Sequence, residues 1–163
     1  MTSWRTMTDS DLPAVKALAD AAHPDLPERL EILRDKRVNF PPGCHVLADE
    51  ARIAGYGIAH PWVLGTVPPL DAPLRGLPSR PTCFYLHDVA IAPEARRRGA
   101  AADYLSRMVE LSQLIQLDVL ALVAVHGTEP VWQRLGFVAS PETVAIPAEY
   151  GAGARYMVRR LTS

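Results

Sequence analysis

The stretch FYLHDVAIAPEARRRGAA, residues Phe84 to Ala101, decides how the rest of the chain is read. Its first half is an apolar, β-prone run that stops at Pro93, and its second half is a basic turn, Arg96-Arg97-Arg98-Gly99, that opens into small residues. That order predicts a strand ending at a ligand and a helix whose first turn faces an anion. A helix N-terminus has unpaired N–H groups and a partial positive charge, and a glycine with small neighbours lets anionic oxygens approach those amides. Alone, the turn also fits a solvated basic loop before an ordinary helix.

Downstream, Ala100 to about Gln116 reads as a helix with an inward stripe of Leu105, Met108, Val109 and Ile115. Val119 to Val125 is apolar without alternation, as in a strand covered on both faces and paired in parallel with the strand Thr82 to Ala92. Glu129 to Leu135 predicts a short helix capped by Gly136, then a strand from Phe137, and Arg155 to Leu161 a closing strand.

Upstream, Ser3 to Met7 predicts an edge strand, and Thr8-Asp9-Ser10-Asp11 caps a helix running to about Ala22 that buries Val15, Leu18, Ala19 and Ala22. Pro27 to Val38 reads as a second, partly exposed helix with alternating charges. Cys44 to Ala48 and Arg52 to Ala59 form a hairpin, with Gly55 and Gly57 permitting close approach. Between His60 and Pro81 six prolines break up any regular element. A loop of about twenty residues is either a functional flap or a plain excursion.

The bulk composition bounds the alternatives. With 163 residues and 48% hydrophobic content, one domain, residues 1–163, can bury its own core. A net charge of −1 supplies no field for nucleic acid or an anionic membrane, so a basic site must be local. The N-terminus lacks a secretory pattern, and no apolar run nears the ~20 residues that span a bilayer. The expectation is a soluble, cytoplasmic protein without nucleic-acid or membrane partners. Cys44 and Cys83 lack metal-ligand spacing and read as reduced packing residues, and no metal is expected.

Arg96-Arg97-Arg98-Gly99-Ala100-Ala101 fits Arg/Gln-x-x-Gly-x-Gly/Ala and resembles the acyl-CoA loop of the GCN5-related N-acetyltransferase (GNAT) family. Trp132-Gln133-Arg134-Leu135-Gly136-Phe137 is similar to that family's Tyr-x-x-x-Gly-Phe signature, in the right order around a strand. GYGIAHPW, from Gly55, and YGAGARYM, from Tyr150, are similar to segments of bacterial members of unassigned substrate. The resemblance implies an α/β (α+β) fold: a twisted, mostly antiparallel mixed sheet with a splayed parallel strand 4/5 pair and helices on both faces. It implies acetyl-CoA as acyl donor, direct attack by a primary amine in a ternary complex, and an acceptor that is a small molecule, peptide or protein. A homodimer is compatible with it.

By residue, the resemblance places cofactor contacts at Val89 and Ile91, through their backbones, at Arg96, Arg97, Arg98, Gly99, Ala100 and Ala101, and beside Trp132. It points to His87 as the catalytic base, with Tyr85 at the neighbouring position. His87 is equally readable as a structural histidine, and a bulge in this strand would bring Asp88 inward instead. His60 and His126 end strands near the expected cleft. Trp132 stands where many relatives have tyrosine, and indole cannot protonate a leaving thiolate. A CoA-binding regulatory or interaction domain without turnover is therefore the rival reading.

Overall fold

The computed structural model describes residues 1–162. In chain order its elements are β1 (Ser3–Thr6), α1 (Leu12–Ala22), α2 (Leu30–Asn39), β2 (His45–Ala48), β3 (Ile53–Trp62), β4 (Cys83–Ile91), α3 (Ala100–Leu114), β5 (Val119–Ala124), α4 (Glu129–Arg134), β6 (Val138–Ala139) and β7 (Arg155–Arg160). The strands form one seven-stranded sheet in the order β1-β2-β3-β4-β5-β7-β6. Every neighbouring pair is antiparallel except β4 and β5.

Strand alternation sorts side chains onto two covered faces. Phe84, Leu86, Leu120, Leu122 and Met157 pack with Tyr104, Leu105 and Met108 of α3. On the other face Tyr56 and Ile58 pack with Leu12, Val15 and Ala19 of α1 and Leu33 of α2. Cys83, Tyr85, Ala121, Tyr156 and Val158 continue that second face toward Trp62 and Ile146. Both cysteines are free and buried, and burial pushes their thiols up to about 12, which leaves them protonated packing groups.

The predicted close approach at Gly57 is made by a side chain. A Cβ there would lie 2.3 Å from the Tyr104 ring, whose hydroxyl donates to the Gly43 carbonyl at 2.7 Å. Gly57 thus sets how closely α3 lies on the sheet, and Gly57→Ala would overpack this contact by about 1–3 kcal/mol.

Several boundaries differ from the sequence reading. β3 runs through His60 and Pro61 to Trp62, so the proline-rich loop starts at Val63. Pro61 is tolerated because β2 pairs only with Ile53 to Gly57, which leaves that flank of β3 without a ladder when Pro61 comes opposite Phe84. α2 starts at Leu30 instead of Pro27, because the preceding segment is extended at Arg29. Ile115 lies beyond the end of α3 and is 37% exposed, while Tyr104 and Ser112 complete the buried stripe. Thr8 does start the first helical segment, its backbone N–H donating to Asp11 Oδ2 at 2.8 Å.

Candidate active site

β4 and β5 are paired only from Phe84 to Leu86, opposite Leu120 to Leu122, and beyond Leu86 they separate. The separation begins where β4 carries a bulge. On β3, Ile58 faces Asp88 and the next residue, Ala59, faces Leu86, so His87 is the extra residue. The bulge changes which residues face which side. Phe84 and Leu86 lie on the α3 face before it, and Val89 and Ile91 on that same face after it. His87 and Asp88 are consecutive, yet both turn toward the α1–α2 side, where Glu28 and His23 meet them.

The gap between the strands is the middle of a cleft of about 820 Å³, lined at one end by the start of α3 and at the other by the α1–α2 link. Ala92 N donates to Ala54 O at 2.7 Å. Because backbone groups alternate between strand edges, the N–H and C=O of Val89 and Ile91 point away from β3 toward the gap. The Ile91 carbonyl accepts from Arg96 Nε at 2.9 Å.

At the α3 end the turn is left-handed at Arg97 (φ 64) and at Gly99 (φ 75), the residue just before the helix. A Cβ on Gly99 would meet no atom within 4 Å, so the space before the first α3 amides is open, and a side chain there would be both strained and in the way. Trp4 Nε1 donates to the Ala100 carbonyl at 2.9 Å and pins the first turn. Arg96, Arg97, Gly99, Ala100 and Ala101 line the cleft. Arg98 instead lines a separate groove with Trp4, Asp103 and Arg107. Trp132 lines the cleft from α4 and packs edge-on against Phe137, with ring centroids 5.7 Å apart.

The other end is built from side chains. His87, whose side chain is 2% exposed, lies 3.2 Å through Nε2 from Glu28 Oε1. Glu28 also accepts from the fully buried Lys36 Nζ at 3.1 Å and from Asp71 N at 3.1 Å. Burial alone would raise the Glu28 carboxyl, but His87 and Lys36 together hold it well below the usual carboxylate range. A carboxylate only accepts, so His87 Nε2 carries the hydrogen in this contact, while Nδ1 is buried without a hydrogen-bond partner.

Asp88 is occupied differently. His23 Nε2 lies 2.9 Å from its Oδ1, and the Tyr56 hydroxyl donates to its Oδ2. The Asp88 hydrogen bond, working against burial, raises the His23 pKa, and burial with Asp88 holds the Tyr56 phenol well above its ordinary value. The His23 ring stacks on His126 at 5.4 Å, and His126 lies 3.5 Å from Asp25. His60 is within β3, not at its end, with its ring 6.0 Å from His87, and burial pushes it down to about 3. Tyr85 is buried, which holds its phenol well above the ordinary range, and it does not line the cleft; its ring lies behind His87, with centroids 6.0 Å apart. Among the described residues no group of three or more His, Cys, Asp or Glu side chains is arranged to hold a metal ion.

The sequence reading misses Glu28, Lys36, His23 and Tyr56. One signal was available: Lys36 falls three and four residues after Leu33 and Ile32, on the buried stripe of α2. A charge on an apolar stripe requires a partner.

Compared with known proteins, the chain matches the sequence model of the Acetyltransferase (GNAT) family over residues 4–137. Its structure is similar to Ard1 from Thermoplasma volcanium, with TM-score 0.75, 13% identity and 99% of each chain covered. It is similar to N-acetylglutamate synthase from Neisseria gonorrhoeae, solved with coenzyme A and N-acetylglutamate, with TM-score 0.75 and 16% identity over 100% of this chain and 36% of that one. Naa20 from Chaetomium thermophilum, solved with a bisubstrate analogue, gives TM-score 0.70 and 16% identity over 98% of this chain and 86% of that one. No curated protein matches.

Proposed function

We propose, from the premise that this chain belongs to the GNAT acetyltransferase family, that it acetylates a primary amine by direct attack in a ternary complex with acetyl-CoA. One observation carries the reading. A single strand, β4, offers at Val89 and Ile91 a backbone edge with no strand partner and, at its bulge, a histidine held through Nε2 by Glu28 with no partner on Nδ1.

The features at the α3 end fit a phosphate-bearing donor. The first α3 amides, the open space at Gly99, and Arg96 and Arg97 would hold its pyrophosphate. The open edge of β4 would take the amide-containing arm as an added strand, and Trp132 packs beside it. When bound, acetyl-CoA supplies an activated acetyl thioester.

The chain's own part is proton handling and placement. An alkyl ammonium titrates near pKa ~10 and must lose a proton before it attacks. His87 Nδ1 is the assigned acceptor. Glu28 holds the ring in the required tautomer and favours the charged imidazolium that results, while Lys36 keeps Glu28 ionised. Asp88 already accepts from His23 and Tyr56 and serves as a fixed negative charge beside the incoming amine. Backbone donors at the open edge of β4 face developing negative charge on the acetyl oxygen. Trp132 gives up no proton, and a thiolate with pKa near ~8.5 leaves without an enzymic acid.

Release of free CoA thiol from acetyl-CoA with a panel of amines, comparing wild type with His87→Ala, tests this. The variant is expected to lose about 10²-fold or more in kcat and to keep CoA-induced thermal stabilisation. Unchanged turnover removes His87 as the base. Tight CoA binding with no turnover by the wild type favours a binding domain.

A further inference from the structure

The chemistry of the α1–α2 end of the cleft also restricts the acceptor. We infer, on the acetyltransferase reading above, that the acceptor is a small primary amine that carries no carboxylate.

The first argument is charge. At this end the ionised groups are Glu28, Asp88 and, at the rim, Asp25, whose side chain is 68% exposed. Facing them are the buried Lys36, which Glu28 takes together with His87 and Asp71 N, and two histidines, His23 on Asp88 and His126 on Asp25, so each of these groups is already paired with a carboxylate. Among the described residues the arginines lining the cleft are Arg96, Arg97 and Arg134. Arg96 and Arg97 belong to the turn before α3. Arg134 ends α4, whose Trp132 packs on the α3-face core. A carboxylate on the acceptor would therefore meet carboxylates and no free fork of donors, whereas an ammonium is attracted.

The second argument is closure. The three segments that wall this end are tied to one another. Asp71 N donates to Glu28, Leu70 N donates to Glu149 Oε1 at 2.9 Å, and the Tyr150 hydroxyl donates to the Pro68 carbonyl at 2.6 Å. The loop from Val63 is thus a fixed wall joining the α1–α2 link to the turn at Tyr150, and His23 stacked on His126 closes the side toward β5. A peptide crossing this end would have to break these ties. A short amine with an apolar body would lie against Leu26, Leu70 and Tyr150.

Matched pairs test the inference: phenethylamine against phenylalanine, and agmatine against arginine, each with acetyl-CoA. The amine of each pair should exceed its amino acid by at least about tenfold in kcat/KM, a modest value for like charges brought together in a closed site. Amino acids used equally well or better would overturn the inference and leave the acetyltransferase reading standing. If neither member of a pair is acetylated, calorimetry on the CoA-bound protein separates the two claims. Phenethylamine bound without phenylalanine keeps this inference and sinks turnover. Equal binding, or none by either, overturns the inference. Leu26→Arg supplies the missing cation and should narrow the preference about tenfold by admitting phenylalanine. A preference unchanged in the folded variant would also overturn the inference.

Discussion

The two ends of the cleft are built on different principles. The α3 end is made of backbone: a left-handed glycine, the first amides of a helix and a strand edge without a strand partner, supplied by Val89 to Ala101. The α1–α2 end is made of side chains from distant segments: Glu28, Lys36, Tyr56, His87 and Asp88, closed by Asp71 and Tyr150. A backbone site tolerates most substitutions and fails where chain conformation is fixed. A side-chain network fails wherever one member is removed, since the others are left buried and unpaired.

The largest expected effect tests that difference. Glu28→Gln removes the counter-charge of a Lys36 side chain with no exposure, and breaking a buried pair in this way costs about 3–5 kcal/mol. Chemical denaturation at neutral pH should show this loss, while CoA-induced stabilisation of the folded fraction persists. A loss below ~1 kcal/mol would mean that the two ends do not differ as described.

At the other end, Gly99→Glu combines a left-handed conformation unfavourable by about 1–2 kcal/mol with a carboxylate in the space before the α3 amides. The expected result is abolished CoA-induced thermal stabilisation with only modest loss of intrinsic stability. Retained stabilisation would place the donor elsewhere.

Protonation acts on two histidines of the α1–α2 side, with opposite signs. His60 Nδ1 lies 3.0 Å from the Pro61 carbonyl and donates to it, leaving a buried Nε2 with no partner for a second proton. Its folded pKa, about 3, is below the ordinary 6.5. The unfolded chain therefore binds the extra proton first, and stability falls as pH drops below about 6.5, by at most about 1.4 kcal/mol per pH unit. His23 has the opposite sign. Its folded pKa is raised, so its contribution is present below 6.5 and is lost as pH rises through the folded value. Urea midpoints measured between about pH 5 and 8 should show both limbs. His60→Phe should reduce the acid limb, to which His45, also lowered by burial, adds with the same sign, and an unchanged acid limb would exclude His60 as a source.

The same difference explains what could be read from the chain. A strand, a proline, a basic glycine turn and an amphipathic helix are local patterns, so the α3 cradle and the parallel β4–β5 pair were legible in Phe84 to Val125. The bulge was not. It depends on how β3 registers against β4, and it turns both His87 and Asp88 to one face where simple alternation selects one of them. Glu28 reads as an ordinary charge in a charged segment until Lys36, eight residues on, is seen to share its buried side. His60 was misplaced because Pro61 reads as a strand breaker, and the unpaired flank that admits it is a property of the sheet.

The smallest expected effect separates neighbours within the Arg triplet. Arg96 and Arg97 line the cleft, whereas Arg98 lines the groove beside β1 with Asp103 and Arg107. If the backbone amides hold the pyrophosphate together with the arginines that face it, Arg98 adds only a longer-range attraction, screened beyond about 8–10 Å in physiological salt. Arg97→Ala should then weaken CoA binding several-fold and Arg98→Ala less than about twofold, both measured by calorimetry near 0.15 M salt. An equal, large loss for both would show that net charge of the turn, and not the direction in which each arginine leaves it, governs the site. A loss for Arg98→Ala alone would move the adenosine end of the donor into the β1 groove.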